Sequence, residues 1–382
     1  MSRLILNQDA LRHNLEVVGG WMDDFGASWN LVTKMLCGHE ESLRVLSSLG
    51  IHAVADSRVE NLAVVRATLP ESETWYLRPA HLSQADAIVS LANTSLASEV
   101  AGIEALDAAA GARGLTHRVV IMIELGDLRE GILPGTLIQF YRHIFRLPNI
   151  QVSGIGANLG CLAGAVPSVE QFMQLAMYRE LLELKFKVKI PFISAGSSAV
   201  LPLVLDGTLP RSVNHFRIGE AVFLGTDLIQ GGTLEGLRDD VFTLHAEVTE
   251  LKEKSLNPLV ETGDVAPFDA AGDEPHEVGQ RGYRALVNIG QLDTDVAGLR
   301  PLDPEIHIAG ASSDITVVNV GADRRGLRVG GTIAFRPGYG ALARLMQSHY
   351  VEWFEGYSPS LLMKRAASDS RSLRCSISPT SP

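Results

Sequence analysis

Apolar and polar positions follow a regular order along the chain as far as residue 232. Short apolar runs predict buried strands, and longer stretches with apolar residues three or four positions apart predict amphipathic helices. A first strand is predicted at 3–6 and a first helix at 9–21. Further strands are predicted at 31–33, 53–55, 74–77, 94–96, 119–124, 152–157, 192–195 and 216–218, with helices at 40–49, 57–67, 83–91, 98–113, 136–146, 168–185 and 198–205.

Eight strands that alternate with helices are typical of the (β/α)8, or TIM-type, barrel. We therefore predict an α/β fold with such a barrel over residues 8–232. Because barrels of this type bind ligands at the carboxyl ends of their strands, we expect the active site there. A doubly wound open sheet shows the same alternation and is the alternative.

The pattern changes after Gly231 and Gly232, where long helices no longer separate the strands. This change predicts a mostly β C-terminal domain over residues 233–350, to which the N-terminal strand, residues 2–7, also belongs. Residues 351–382 are rich in Ser, Arg and Pro, which predicts a disordered tail. The strands of the β domain are predicted at 241–251, 285–289, 306–309, 315–320 and 332–335.

Acidic residues outnumber basic ones by 44 to 33, which gives a net charge of −11. This excess argues against nucleic acid or an anionic membrane as a partner. The chain shows no apolar leader and no run that would span a membrane, so we expect a cytoplasmic protein. The three cysteines, Cys37, Cys161 and Cys375, lack CxxC spacing, and we predict neither a disulfide framework nor a metal site.

Lys34 follows the first predicted barrel strand, after the apolar residues Leu31 and Val32. Burial at the end of a strand disfavours the charged amine and lowers the pKa of a lysine. A neutral amine can attack a carbonyl and form a Schiff base. Lys34 is therefore a candidate catalytic residue, and the alternative is a solvated lysine just beyond the strand.

Arg129 follows the strand predicted at 119–124 and would lie at the same end of the barrel. Its planar, permanently charged guanidinium suits a carboxylate or a phenolate oxygen. The alternative is a surface arginine paired with Asp127 or Glu130.

Glycines and small hydroxyl residues follow the last three barrel strands. The segment 154–160 has the spacing GxGxxxG, but no helix opens directly on it, so we interpret Asn158 as a polar wall of a pocket rather than part of a nucleotide site. Ser197 and Ser198 precede a predicted helix, where hydroxyls and backbone N–H groups can bind an anion or merely cap the helix. Gly219 lets a phosphate approach the backbone at the place where barrels commonly bind phosphate.

In this order the motifs resemble the fold-type III pyridoxal phosphate enzymes, and within them the alanine/ornithine racemase branch of the alanine racemase family. The resemblance extends over residues 2–350. The segments that carry it are 32–37 (VTKMLC), 55–58 (ADSR), 125–131 (LGDLREG), 217–220 (RIGE), 290–295 (GQLDTD) and 310–314 (GASSD).

The resemblance implies roles for the matching residues. Lys34 would bind the cofactor as a Schiff base and act as one base, and Arg129 would face the cofactor's phenolic oxygen and the substrate carboxylate. Asn158 would lie against the pyridine ring, where related racemases have a histidine. Arg217 would meet the pyridine nitrogen without protonating it, because an arginine keeps its protons. The phosphate would be held by Ser197, Ser198 and the backbone of Gly219 and Glu220.

Two tyrosines of alanine racemases are absent from this chain. Gly38 stands where the family has a tyrosine four residues after the lysine. The region 258–268, which corresponds to the catalytic tyrosine of the β domain, contains Glu261 and Asp264 instead. Either the second base comes from another residue, or the reaction runs unequally in its two directions.

Tyr339 is our candidate for this second base, because the flanking glycines, Gly338 and Gly340, would let its loop approach the site closely. Its pKa would have to fall from about 10 towards neutrality, which a nearby arginine such as Arg336 could help achieve. Cys37 and Asp264 are the alternatives.

The resemblance further implies an amino-acid racemase that works as a homodimer, with the β domain of one subunit over the barrel mouth of the other. Acidic residues in the β domain favour a basic substrate, ornithine or lysine, with alanine second. The candidate substrate-binding residues are Asp293, Asp295, Ser313 and Asp314, and the alternative is that the acids are solvated turn residues.

Two other functions fit the same fold. One is a pyridoxal phosphate-dependent lyase or decarboxylase, whose usual signature motifs we do not find. The other is a non-enzymatic cofactor-binding regulator, and the β domain argues against it because such relatives usually consist of the barrel alone.

Overall fold

The computed structural model of the chain describes residues 2–160, 164–261, 277 and 279–356. It divides into a β unit, residues 1–13 with 239–382, and a barrel unit, residues 14–238. Among the described residues, no helix is both long and apolar enough to cross a membrane.

The barrel unit contains eight parallel strands that close on themselves in sequence order. This closure confirms the predicted α/β fold with a TIM-type barrel and excludes the open sheet. After β1 (Arg3–Asn7) of the β unit, the barrel strands are β2 (Ser28–Val32), β3 (Ala53–Asp56), β4 (Glu73–Tyr76), β5 (Thr94–Ala97), β6 (His117–Met122), β7 (Ile150–Gly156), β8 (Phe192–Ser197) and β9 (His215–Ile218).

Helices connect the barrel strands, as the spacing of apolar residues predicts. The longest connecting helix begins at a capping box, in which the backbone N–H of Ser168 donates to Gln171 Oε1 at 2.9 Å. The helices up to the end of the barrel are α1 (Gln8–Phe25), α2 (Glu40–Ser48), α3 (Val59–Thr68), α4 (Ala85–Leu91), α5 (Val100–Ala112), α6 (Leu137–Ile144), α7 (Val169–Phe186), α8 (Leu201–Leu205) and α9 (Glu220–Leu224). Short 3₁₀ turns lie at Lys34–Leu36, Leu82–Gln84, Pro134–Thr136 and Ser198–Val200.

Apolar side chains from neighbouring strands pack inside the barrel. Close packing between β8 and β9 depends on Gly196, because a Cβ at this position would lie 2.0 Å from the ring of Phe216. Each fully buried aliphatic or aromatic side chain contributes about 1.5–3 kcal/mol to stability. The buried members of this core cluster are Val32, Ala55, Trp75, Leu96, Val120 and Met122.

The β unit is built on one mostly antiparallel sheet in the order β12-β15-β10-β11-β14-β13. Strand β1 lies beside this path, antiparallel to β10 and parallel to β16. The only helix among the described residues after 238 is α10 (Tyr339–Leu345), and a 3₁₀ turn lies at Val296–Gly298. The strands are β10 (Phe242–Ser255), β11 (Arg281–Val287), β12 (Leu299–Pro301), β13 (His307–Ala311), β14 (Thr316–Gly321), β15 (Thr332–Pro337) and β16 (Glu352–Gly356).

Three features of the β unit differ from the sequence-based expectation. Residues 352–356, which we placed in the disordered tail, form β16, because β1 offers them a complete parallel ladder. Strand β12 is too short to leave a periodic pattern in the sequence. Tyr339 begins helix α10 instead of lying in a glycine-rich loop, since Gly338 acts as the N-cap of that helix. Residues 357–382 and Asp264 lie outside the described residues.

Candidate active site

Lys34 is the first residue of the 3₁₀ turn that follows β2. The residue before it, Thr33, is buried and donates from Oγ1 to Asp56 Oδ2 at 3.1 Å, which ties the ends of β2 and β3 together. Burial raises the pKa of Asp56, while hydrogen bonds from Asn61 and from the backbone act in the opposite direction. The Lys34 side chain itself is exposed in this single chain, so the burial that we expected around it is not provided by the described residues alone.

The turn after Lys34 explains why glycine replaces the family's tyrosine at position 38. Gly38 has a φ of +72°, and a Cβ there would lie 3.0 Å from Asn61 Oδ1. Cys37 also has a left-handed backbone, with a φ of 51°, and its Sγ lies 3.7 Å from the carbonyl oxygen of Lys34. A large side chain at position 38 would therefore strain the backbone and collide with α3.

Arg129 lies in a loop that one carboxylate holds in place. Glu124 Oε1 accepts from the backbone N–H of Gly126 and, at 3.1 Å, from that of Leu128, while Glu124 Oε2 accepts from the N–H of Arg129 at 3.0 Å. The Arg129 guanidinium is half-buried and donates to Glu130 Oε1 at 3.0 Å. A pair with Glu130 was the alternative role that we considered for Arg129. With this pair formed, the arginine still lies in the loop that follows β6.

A chain of hydrogen bonds links the arginine after β6 to the arginine in β9. Asn158 Nδ2 donates to the same Glu130 oxygen that Arg129 contacts. Asn158 Oδ1 in turn accepts from Arg217 Nη2 at 2.6 Å. The structure thus brings Arg129, Asn158 and Arg217 together. The mostly buried Glu130 links Arg129 to Asn158.

Arg217 is buried and surrounded by acceptors from the neighbouring strands. Its Nη2 donates to the carbonyl oxygen of Ala157 at 3.0 Å, and its Nη1 donates to the carbonyl oxygen of Ser194 and, at 2.6 Å, to Ser194 Oγ. Ser194 Oγ lies 2.8 Å from His215 Nδ1, and His215 Nε2 contacts Asn30 Oδ1. This contact network fixes the plane of the guanidinium.

His215 is held neutral at the inner end of this network. Burial, followed by the charge of Arg217, lowers the pKa of His215 to about 3. The neutral ring stacks on Trp75, with centroids 4.1 Å apart and planes 7° from parallel. With Nε2 donating to Asn30, His215 Nδ1 can accept the Ser194 hydroxyl proton, which leaves the Ser194 oxygen to accept from Arg217.

The turn after β8 and the start of α9 form a small polar concavity. Ser197 Oγ is buried and has no hydrogen-bond partner among the described residues. Ser198 Oγ accepts from the backbone N–H of Ala221 at 3.2 Å. Gly219 is required here, because a Cβ would lie 2.7 Å from the carbonyl oxygen of Val32. An unpaired buried hydroxyl beside a close approach of backbone suits an oxyanion such as phosphate.

Glu220 connects this concavity to Lys34. Burial raises the pKa of Glu220, and the charge of Lys34 partly opposes the rise. The two residues follow β9 and β2, which are adjacent in the closed barrel with Leu31 beside Ile218. The candidate residues of the barrel unit therefore occupy the ends of five consecutive strands, β6, β7, β8, β9 and β2.

The candidate substrate residues of the β unit lie on two turns that pack against each other. The N–H groups of Gln291 and Leu292 donate to the carbonyl oxygens of Ser312 and Ser313, both at 3.0 Å. Asp293 Oδ2 accepts from the backbone N–H of Gly290 at 3.0 Å, so this acid stabilises its own turn. The other three residues are Asp295, just before a 3₁₀ turn, Ser313, and Asp314, which accepts from Ser313 Oγ at 3.0 Å.

Tyr339 is half-buried at the start of α10 in the β unit. Arg336, which we expected to lower its pKa, instead donates to Thr243 Oγ1 and lies 3.6 Å from a carboxylate oxygen of Asp239. The positive charge of Arg336 is thus already compensated. The assignment of Tyr339 as second base stays a prediction.

Sequence reasoning missed the residues that orient the arginines. Glu124 and Glu130 belong to a motif that we recognised, but only Arg129 was assigned a role. Ser194, His215 and Asn30 are buried polar residues within strands. A signal was present, because His215 and Arg217 alternate with the apolar residues Phe216 and Ile218, and such alternation places polar side chains on one face of a strand. The polar residues of this hydrogen-bond network are Asn30, Arg129, Glu130, Asn158, Ser194, His215 and Arg217.

Comparison with known proteins gives matches over most of the chain. Residues 6–227 match the family described as alanine racemase, N-terminal domain. The chain is 34% identical over 353 residues to an ornithine racemase from Acetoanaerobium sticklandii, covering 92% of this chain and 98% of that protein. It is 30% identical over 361 residues to a lysine racemase from Thermotoga maritima, covering 94% and 99%.

Solved structures show the same architecture at lower identity. The crystal structure of alanine racemase from Streptomyces lavendulae aligns with a TM-score of 0.67 at 17% identity, covering 93% of this chain and 97% of that one. At this identity the similarity supports the fold. That fold is a barrel followed by a β domain.

Proposed function

The chain belongs to the alanine racemase family, and from this premise we propose that it is a pyridoxal phosphate-dependent racemase of a basic amino acid, ornithine or lysine. The observation that carries the proposal is the similarity to an ornithine and a lysine racemase along nearly the whole length of all three proteins. The arrangement of Lys34, Arg129, Asn158 and Arg217 at the carboxyl ends of β2, β6, β7 and β9 supports it.

The residues present fit the cofactor. The unpaired buried hydroxyl of Ser197 and the close backbone at Gly219 would hold a phosphate, together with Ser198 and the backbone of Glu220. When bound, pyridoxal phosphate supplies an electron sink for the electron pair left on Cα after its proton departs. Lys34 supplies the amine that would bind the cofactor covalently.

Arg217 would face the pyridine nitrogen with hydrogen-bond donors and would not release a proton to it. Its contacts with Ser194, Ala157 and Asn158 hold the guanidinium in one orientation. Because Arg217 keeps its protons, it would favour return of the proton to Cα over transamination. Arg129 would bind the substrate carboxylate through the guanidinium that Glu130 orients.

Proton exchange needs a group on each face of Cα. Lys34 would take or return the proton on one face. For the other face we assign Tyr339, supplied by the β unit of a second copy of the chain in a homodimer. A lid of this kind would exclude water from the carbanion. Asp293 and Asp295 would pair with the distal ammonium of ornithine or lysine, since a desolvated ammonium requires an opposite charge.

The test begins with the purified protein. We expect a visible absorbance band that disappears on borohydride reduction and leaves a mass increase on Lys34, while Lys34→Ala lacks both and Lys252→Arg, an exposed control, keeps both. Chiral chromatography should show conversion of L-ornithine and L-lysine to mixtures of enantiomers, faster than that of L-alanine. A colourless protein that cannot be reconstituted would contradict the proposal, and release of carbon dioxide and an amine would indicate the decarboxylase instead.

A double variant tests the substrate preference separately. In Asp293→Asn with Asp295→Asn we expect kcat/KM for L-ornithine to fall at least tenfold relative to that for L-alanine, because the distal ammonium loses its charge partners. Glu305→Gln, an exposed acid of the same unit, is the control. An unchanged ratio of ornithine to alanine would exclude the two aspartates as the selector.

A further inference from the structure

A cavity of about 270 Å³ lies between the loops that follow β3 and β4. This is the carboxyl end of two barrel strands, the side on which TIM-type barrels bind ligands. The side chains that line it are strongly polar and include Arg58, Glu60, Tyr76, Arg78 and His81. None of them has a role in the site around Lys34.

Two arginines of this cavity have no carboxylate partner in the part of the chain that the structure describes. Within the described ranges, no ion pair is formed by Arg58 or by Arg78. Arg78 Nη2 lies 2.8 Å from His81 Nε2, and the guanidinium can only donate, so this imidazole nitrogen accepts the hydrogen bond. The cavity therefore presents two guanidinium groups whose other donors face a volume large enough for a small molecule.

Three charged side chains of the cavity act electrostatically on Tyr76. Burial raises the pKa of Tyr76, the charges of Arg78 and Arg58 lower it, and the charge of Glu60 raises it. All three side chains therefore act on the same buried tyrosine, which lines the cavity. Two positive charges and one negative charge lie around it.

Two backbone N–H groups next to this cavity are already hydrogen-bonded. The backbone N–H groups of Ser57 and Arg58 donate to Asp56 Oδ1 at 2.7 and 3.1 Å. These two amides, which precede α3, are therefore already bound by a carboxylate. The polar side-chain groups available to a ligand are the two guanidinium groups, the Glu60 carboxylate and the nearby hydroxyls.

We propose that this cavity binds the zwitterion of a free α-amino acid, with the carboxylate between Arg58 and Arg78 and the ammonium at Glu60. A simple anion would bind the arginines but would be repelled by Glu60. A zwitterion gives each of the three charged side chains an opposite charge, and the guanidinium forks match the geometry of a carboxylate. The ligand class follows from the cavity alone and does not depend on racemisation.

The test measures binding without turnover. L-Alanine, acetate and inorganic phosphate are titrated by calorimetry into the holoenzyme after borohydride reduction. We expect saturable L-alanine binding that weakens at least tenfold in Arg58→Gln and in Arg78→Gln. Glu60→Gln should weaken L-alanine binding but not acetate binding. Arg44→Gln, an exposed arginine paired with Glu40 on α2, is the matched control and should bind as the wild type does.

Several outcomes would overturn the proposal. An equal affinity for L-alanine in the wild type and both arginine variants would show that L-alanine binds at the Lys34 site instead. The absence of any L-alanine binding to the wild type, or phosphate binding through both arginines without amino-acid binding, would exclude a zwitterion site. If Arg78→Gln does not fold, Arg78→Lys retains the charge without the fork, and it should bind L-alanine more weakly than the wild type does.

Discussion

At the scale of single residues, Glu130 has a larger role than its position in a loop suggests. Its carboxylate accepts from Arg129 and from Asn158, and Asn158 accepts from Arg217. One negative charge is therefore shared along a path between two guanidinium groups. Glu130 is a positioning residue, since it acts on a ligand only through the two arginines.

Replacing Glu130 with Gln keeps its shape and removes its charge. We expect KM for the amino acid to rise about tenfold or more with a smaller fall in kcat, because Arg129 loses the partner that orients it towards the substrate carboxylate. Steady-state kinetics from both enantiomers measure the change. Glu180→Gln, an exposed acid on α7, should leave both constants unchanged, and a loss of kcat alone in Glu130→Gln would contradict a positioning role.

Tyr339→Phe tests the second base. Lys34 would still remove the proton from one enantiomer, so exchange of Cα hydrogen with solvent should persist for that enantiomer while inversion falls at least a hundredfold. Mass spectrometry after turnover in deuterium oxide separates the two processes. Tyr350→Phe, at an exposed tyrosine of the same unit, provides the comparison. Full racemisation in both directions by Tyr339→Phe would exclude Tyr339 as the second base and leave Cys37 and Asp264 as the candidates.

At the scale of elements, strand β9 combines packing and chemistry. His215 and Phe216 lie beside the core, and Arg217 extends the hydrogen-bond network towards the strand end. The strand can bury Arg217 because its donors meet acceptors from β7, β8 and the residues that follow them. A buried histidine beside a buried arginine must remain neutral, which makes the stability of the barrel depend on pH.

His215 titrates near pH 6.5 when unfolded and near pH 3 when folded, and His117 has a folded pKa of about 4, lowered by burial and by Arg118. The unfolded chain therefore binds more protons below pH 6.5, and the free energy of unfolding should fall as pH drops towards 4. The slope from each histidine is at most about 1.4 kcal/mol per pH unit. Urea unfolding between pH 7.5 and 4.5 measures it.

The variants for this pH dependence are His215→Asn and His52→Asn. The first loses the hydrogen bonds of His215 and should be less stable at pH 7.5, but its stability should change less steeply below pH 6.5. The second removes an exposed histidine and should follow the wild type. Equal slopes for His215→Asn and the wild type would show that His215 does not titrate between the folded and unfolded states.

The sequence predicts elements of this fold better than it predicts contacts between side chains. All eight barrel strands leave an apolar run, because parallel strands are buried on both faces. The order of Lys34, Arg129, Asn158 and Arg217 along those strands already predicts that they meet at one end. The hydrogen bonds made by Glu130, Ser194 and His215 depend on side-chain rotamers and on the register between strands. No local sequence pattern encodes either of these.

At the scale of the whole molecule, the proposed reaction requires a second copy of the chain. The barrel unit exposes Lys34, and between Lys34 and Arg217 its described residues include no long insertion that would form a lid. We expect sedimentation to show a dimer at working concentrations. Mixing Lys34→Ala and Tyr339→Phe subunits should restore activity, since one of the two sites in a mixed dimer would be intact. A fully active monomer would contradict this arrangement.

The position of β1 has a consequence for the order in which the protein is made. Arg3 pairs with His245 and with Glu352, so β1 is synthesised long before the strands with which it pairs. At roughly 5–20 residues per second, that delay is on the order of tens of seconds. The barrel strands need no residue beyond Ile218 for their closure and can pair while translation continues. Completion of the sheet around β1 is therefore a late step, and an unpaired apolar strand must stay free of other nascent chains until then.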